Sequence, residues 1–200
     1  ERRLEKRHRA AKIQTIVSDK KIDNVLHFTQ IENLQSIAQR GLISRTRLTD
    51  SAIKYLPTDD LRTDNWLDWI SLSIGFPNYK MLWAKRYESP KTWAILVFSP
   101  EILSTQNCRF YMTNAGRLVF RSIDVDKFST ASSLETMFAN PQDRIGQLPP
   151  FYPTDPQAEV MVEHSVPIEF LKEVVFERAS DERTSNIADK VSTRVSTNFF

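Results

Sequence analysis

Few residues in this 200-residue chain could do chemistry, since it holds three histidines, one cysteine and four glycines. His8, His27, His164 and Cys108 fall at no CxxC, HxxxH or HExxH spacing, so no metal site is expected. Cys108 has no histidine close in sequence to activate it and reads as a small buried hydrophobe. Gly41, Gly75, Gly116 and Gly146 pair at neither GxGxxG nor GxxxxGK spacing. Both phosphate cradles need glycine where the backbone approaches the phosphate, which argues against a Rossmann fingerprint and a P-loop. What remains is a carboxylate, an imidazole, a guanidinium and a pair of rings. Glu159 follows a proline-stiffened loop, His27 lies in a short apolar run, Arg62 stands among Asp59, Asp60 and Asp64, and Phe151-Tyr152 sit together. Each also has an ordinary reading. Glu159 and Glu163 would share one face of an alternating strand as solvent-facing carboxylates, His27 would be a satisfied core histidine, and Arg62 would pair with its aspartates at the surface.

The elements that must position these residues follow from periodicity. Residues 2 to 17 carry Leu4, Ala11, Ile13, Ile16 and Val17 among basic residues, a pattern that predicts a basic amphipathic helix at the N-terminus, within residues 1–20. Val25 to Thr29 is β-prone and leads into a helix over Ile31 to Arg40, which Gly41 stops. Residues 44–68 are polar, contain Pro57 and lack a sustained period, so they read as a long functional loop. Ile70 to Ile74 alternates as a strand, Pro77 to Tyr87 reads as a helix, and Trp93 to Phe98 as a central strand. A helix start at Ser99-Pro100-Glu101 and a weaker strand at Arg109 to Met112 come next. Ser132 to Ala139 predicts a helix capped by Ser132 or Ser133 and stopped by Asn140-Pro141. Residues 140–157 form a loop crowded with Pro149, Pro150, Pro153 and Pro156 before a strand at Ala158 to Val162, and Leu171 to Phe176 supplies one more strand. Strands and helices do not alternate as βαβ, so the class is α+β, in one domain over residues 1–200.

Lysine and arginine total 27 against 25 acidic residues, a net charge of +2, which excludes a histone-like electrostatic binder of nucleic acid. The one basic block holds Arg2, Arg3, Lys6, Arg7, Arg9 and Lys12 and reads first as a solvated helix face. A lone cysteine makes no internal disulfide, which fits a reducing cytoplasm, and no apolar run is long enough for a membrane span. The chain opens at Glu1 and not at Met, as a processed or excised segment would.

Three ordered segments resemble the DarT family, the toxin partners of DarT–DarG systems. They are Leu26-His27-Phe28-Thr29-Gln30-Ile31-Glu32-Asn33-Leu34 through Gly41-Leu42; Ile70-Ser71-Leu72-Ser73 into Pro77-Asn78-Tyr79-Lys80-Met81; and Pro153-Thr154-Asp155-Pro156-Gln157-Ala158-Glu159-Val160 into Val166-Pro167. His-Phe-Thr and Pro-Asn-Tyr-Lys-Met look like the DarT1 branch. The resemblance implies an ADP-ribosyltransferase fold, two small antiparallel sheets forming an NAD cleft flanked by helices. It also implies an NAD-dependent enzyme that places ADP-ribose on a base of single-stranded DNA, as a toxin whose partner is an ADP-ribosyl-removing antitoxin of macrodomain type.

On that resemblance Glu159 and Arg62 are the expected catalytic residues. When the ribose–nicotinamide bond breaks, nicotinamide leaves as a neutral base and needs no general acid. What helps is negative charge beside the oxocarbenium-like centre and a hydrogen bond to the ribose 2′-hydroxyl, the part given to Glu159. Arg62 would either hold the diphosphate or orient the acceptor base, since its pKa bars it from accepting a proton. His27, Phe28, Thr29, Ser71, Tyr79 and Met81 are the expected NAD contacts, with Ser71 and Ser73 the weaker candidates and Asn114 a family position without an assigned job. Phe151 and Tyr152 offer stacking faces to single-stranded DNA, because a base inside a duplex is out of reach. Two other readings stay open: transfer to RNA or protein from the same cleft, and an inactive relative that only binds nucleic acid.

Overall fold

The computed structural model describes residues 2–57, 66–88, 91–143 and 149–200. Its elements in chain order are α1 (Arg2–Lys20), β1 (Val25–Gln30), α2 (Leu34–Arg40), β2 (Leu42–Ile43), α3 (Arg45–Asp50), β3 (Trp69–Ile74), α4 (Tyr79–Glu88), β4 (Trp93–Phe98), α5 (Ile102–Thr105), β5 (Cys108–Tyr111), α6 (Ala131–Thr136), β6 (Glu159–Glu163), β7 (Ser165–Val166), β8 (Leu171–Phe176), α7 (Ala179–Ser185) and β9 (Thr193–Val195). The mixed class matches the sequence reading. A seven-stranded sheet runs β5-β6-β3-β1-β4-β8-β9, and β2 pairs with β7 in a separate two-stranded sheet.

The large sheet is continuous but nearly divided. Strands β1 and β3 pair only at Val25↔Ile74 and Leu26↔Ser73, whereas β1 pairs with β4 along its full length and β3 with β6 from Trp69↔Glu163 to Leu72↔Val160. Beyond Leu26 the two strands diverge, and the gap between them is the cleft described below. The expected pair of small antiparallel sheets is thus one sheet hinged at two residue pairs, and its outer edge is parallel, because β9 runs alongside β8.

Side-chain alternation explains how the sheet is held. One face carries Val25, Ile70, Leu72, Ile74, Leu96, Phe98, Phe110, Val160, Val162 and Val174 in a single apolar core, closed by residues of α1, α2, α5 and α6. The opposite face is split. Leu26, Phe28, Trp93, Ile95, Val97 and Val175 form one cluster with Leu82 of α4 and the C-terminal Phe199 and Phe200, while Trp69, Met161, Tyr111 and Ala115 form another with Trp66, Phe120 and Phe128. Each fully buried large side chain contributes about 1.5–3 kcal/mol, so both halves are anchored separately on either side of the gap.

Several boundaries differ from the sequence reading for local reasons. A 3-10 turn at Ile31–Asn33 precedes α2, and Gly41 ends it at φ 76°, where an added Cβ would collide with the Val166 carbonyl. The stretch expected to be all loop contains α3, a helix too short to show a hydrophobic period. Thr130, not Ser132 or Ser133, caps α6: its hydroxyl accepts from the Ser133 N–H while Ser133 Oγ accepts from the Thr130 N–H, a reciprocal box. Among the described residues no helix is long and apolar enough to cross a membrane.

Candidate active site

The gap between β1 and β3 is a cleft of about 210 Å³. Its walls bring together His27, Phe28 and Thr29 from β1, Ser71 and Ser73 from β3, Asn78 and Met81 at the start of α4, Asn114 and Gly116 from the turn after β5, and Glu159 from β6. Residues far apart in sequence thus meet because β3 lies between β1 and β6 in the sheet.

Glu159 is the chemical centre. It is 8% exposed, and both carboxylate oxygens are engaged: Oε1 accepts from Ser71 Oγ at 3.1 Å and Oε2 from the Ala115 backbone N–H at 2.7 Å. Two donors on two oxygens suit an ionised, acceptor-only carboxylate and fix its plane. A solvent-facing strand residue has neither the burial nor the partners. Glu163, four positions on at the end of the same strand, is half-buried, and its carboxylate accepts from exposed Asn107 at 2.7 Å.

Ser71 ties the two walls of the cleft. Its hydroxyl donates to Glu159, and its backbone carbonyl accepts from His27 Nδ1 at 2.9 Å. A carbonyl only accepts, so Nδ1 carries the proton and the ring orientation is set. His27 spans the gap exactly where β1 and β3 have parted and stop sharing backbone hydrogen bonds. The Asn114 side chain has a structural job: Oδ1 accepts from the Gly116 N–H at 2.9 Å, shaping the turn that aims the Ala115 N–H at Glu159.

One wall of the cleft is strapped down. Asn33 Nδ2 donates to Thr29 Oγ1 at 3.0 Å and to the Leu56 carbonyl at 2.8 Å, its Oδ1 accepts from the Leu56 N–H at 2.8 Å, and Gln30 Nε2 donates to the Pro57 carbonyl at 2.9 Å. These bonds place Tyr55 and Leu56 at the cleft beside Ser44 and Arg45, at the start of α3. Among the described residues, Ser44 Oγ is buried there without a hydrogen-bond partner. A buried hydroxyl with no partner beside a guanidinium suits a polar, anionic ligand such as a dinucleotide. Asn78 shapes the other end, with Oδ1 accepting from the Met81 N–H at 3.2 Å and its own N–H donating to Ser73 Oγ at 3.2 Å. The sequence assigns Asn33, Asn78, Ser44 and Tyr55 no role at the site, and it offers Arg45, with Arg47, only as the alternative to Arg62 on the same loop. The asparagines announce themselves only as turn and cap formers, and the others belong to the stretch that looked featureless.

Other expected residues fall elsewhere. Arg62 lies outside the described residues. Tyr79, half-buried at the start of α4, does not line the cleft, whereas Met81 does. Tyr152 packs against Gly75 and stands 6.0 Å from the Phe76 ring, with Phe151 edge-on to it at 4.7 Å, so this pair is partly engaged within the fold. Burial raises the Tyr152 phenol above its ordinary value. Cys108 is fully buried, its thiol pushed up to about 12 by desolvation, and donates to the Ile102 carbonyl. Among the described residues no cluster of histidine, cysteine and carboxylates could hold a metal.

Comparison with known proteins follows this geometry. The family model for DarT, described as ssDNA thymidine ADP-ribosyltransferase, matches residues 26–198. Thermus sp. 2.9 DarT in complex with ADP-ribosylated ssDNA superposes with a TM-score of 0.64 at 15% identity, covering 90% of this chain and 97% of that one. The same protein in complex with NAD+ gives 0.59 at 15% identity, with 89% and 97% covered. Thermosipho africanus DarTG in complex with ADP-ribose gives 0.57 at 15% identity, covering 89% of this chain and 51% of that one, so the chain spans about half the length of that protein. No curated protein matches by sequence.

Proposed function

The chain belongs to the DarT family of single-stranded-DNA thymidine ADP-ribosyltransferases, and from that premise we propose thymidine as its acceptor and a role for each group lining the cleft. The enzyme uses NAD as co-substrate and transfers ADP-ribose to a base of single-stranded DNA. The bond from ribose C1′ to nicotinamide breaks with both electrons going to nicotinamide, a ring nitrogen of the base bonds to C1′, and the proton that nitrogen carried passes to solvent. Glu159 holds its negative charge beside the cationic C1′ and accepts from the ribose 2′-hydroxyl, an interaction that strengthens as the bond breaks. His27 and Thr29 contact the ribose and the nicotinamide amide, while Phe28 and Met81 give that ring an apolar seat. Arg45 and Ser44 take the diphosphate. Arg62 orients the acceptor base.

The observation that carries this reading is the buried Glu159 carboxylate, held by Ser71 and Ala115 at the floor of a cleft that also presents His27. The acceptor enters past the turn after β5, where Arg117, Leu118 and Val119 are exposed next to Asn114 and Gly116. The likeness to the fold of DarTG supports an antitoxin partner, which we take to remove the ADP-ribose, to be of macrodomain type and to act with this chain in the cytoplasm. The His27-Phe28-Thr29 and Pro77 to Met81 segments support placement in the DarT1 branch.

Mass spectrometry of oligonucleotides after incubation with the protein and NAD tests the proposal. A mass gain of one ADP-ribose localised to thymidine is expected. Modification of another base would keep the enzyme and overturn the choice of acceptor; modification of RNA or protein with none of DNA would overturn both.

A further inference from the structure

Among the described residues, the outer face of α4 is left exposed. Leu82 on its inner face is fully buried, and Arg86 fastens the helix to Glu177 through two hydrogen bonds of 2.8 Å. Trp83 is nevertheless 67% exposed and Tyr87 96% exposed. Positions 80, 83, 84 and 87 recur at helical spacing, so Lys80, Trp83, Ala84 and Tyr87 form one stripe, all exposed. Burying a large ring is worth about 1.5–3 kcal/mol, and here two rings forgo it side by side.

We propose that this stripe is a track for single-stranded DNA leaving the cleft, with Trp83 and Tyr87 stacking on bases that flank the modified one and Lys80 meeting a phosphate between them. The proposal rests on the DNA transfer reading and adds the path of the strand outside the reaction centre. Continuity supports it, since Asn78 and Met81 in the first turn of the same helix line the cleft. At about 1.5 Å of rise per residue, Trp83 and Tyr87 are about 6 Å apart along the axis, close to the spacing of one or two nucleotides. Charge supports it too. Lys80 sits in the stripe, and the acid at its edge, Glu88, is paired with Lys85 at 3.1 Å. Lysine is depleted at protein–protein interfaces, whereas exposed rings interleaved with cations are how sequence-tolerant single-strand binders work.

The test is fluorescence anisotropy of a long, labelled, mixed-sequence oligodeoxynucleotide, paired with transfer kinetics on that strand and on a trinucleotide. Trp83→Ala and Tyr87→Ala should each weaken binding of the long strand about tenfold. KM for the long strand should rise with kcat unchanged, and transfer to the trinucleotide and NAD hydrolysis without DNA should stay at wild-type level. Trp83→Phe and Tyr87→Phe, which keep a stacking face, should restore most of the affinity. Lys80→Ala should reduce the slope of log affinity against log salt by about 0.7. Unaltered binding in both alanine variants of an enzyme that modifies DNA would overturn the track alone. The same follows if the variants keep DNA binding and lose an antitoxin partner. A wild type that modifies no oligonucleotide would overturn the transfer reading beneath it.

Discussion

The two halves of the sheet on either side of the cleft are built from different materials. On the half formed by β3, β6 and β5, the face toward the cleft carries Ser71 and Glu159 in a hydrogen-bonded chain that ends at the Ala115 N–H. On the half formed by β1, β4 and β8, the same face of the sheet is an apolar cluster of Phe28, Trp93, Ile95 and Val175 under Leu82 and the C-terminal phenylalanines. A carboxylate needs directional partners to stay charged and oriented in a low-dielectric site, whereas an aromatic seat needs only shape. On the proposed reading this is a division of labour: the first half supplies the charge that acts in the transition state, and the second supplies rigidity and a surface for the nicotinamide. Substitutions on the two halves should therefore fail in different assays.

The largest effect is expected on the polar half. Glu159→Gln keeps shape and removes charge, and initial rates of transfer should fall by about 10³-fold with the melting curve unchanged. On the apolar half, Ile95→Ala should lower unfolding free energy by about 2–5 kcal/mol in a urea titration. The folded fraction should keep its kcat, because Ile95 lies behind the β1 wall and does not line the cleft. A large fall in kcat there would erase the division. Asn33→Ala removes three hydrogen bonds, two to the Leu56 backbone that hold residues 53–57 at the cleft and one to Thr29 on β1. NAD binding measured by calorimetry should weaken by about 1–3 kcal/mol, and more strongly than transfer at saturating NAD. Ser71→Ala removes the hydroxyl donor to Glu159 and keeps the carbonyl bond to His27, so transfer should drop about tenfold, the worth of one such bond. The smallest effect concerns Cys108. Buried and raised to about 12, its thiol should resist alkylation at pH 8 in the native protein and react only as urea unfolds it.

Much of this arrangement was legible in the sequence where local pattern dictates it. The alternation of Ile70 to Ile74, the apolar run of Trp93 to Phe98 and the proline-rich approach to Glu159 all read correctly, because period and turn chemistry are local. What stayed hidden depends on register between distant strands. Ser71 ranked low as a lone serine, and its importance comes from β3 lying between β1 and β6, which no local pattern encodes. Ala115 acts through its backbone N–H, so its side chain carries no sign of the job. Strands β2 and β7 have two residues each, and α3 has six, all too short to display a period. The Phe151-Tyr152 pair was read for its rings alone; the packing of Tyr152 on Gly75 needed the strand end it rests on.

The central claim is that the Glu159 charge acts in the transition state and not in holding NAD. Calorimetric NAD affinity and the rate of ADP-ribose transfer to single-stranded DNA, measured on one preparation of Glu159→Gln beside the wild type, test it most directly. The account predicts an NAD dissociation constant within about threefold of wild type and transfer reduced by about 10³-fold. Transfer near the wild-type rate, or a loss of NAD affinity as large as the loss of rate, would contradict it.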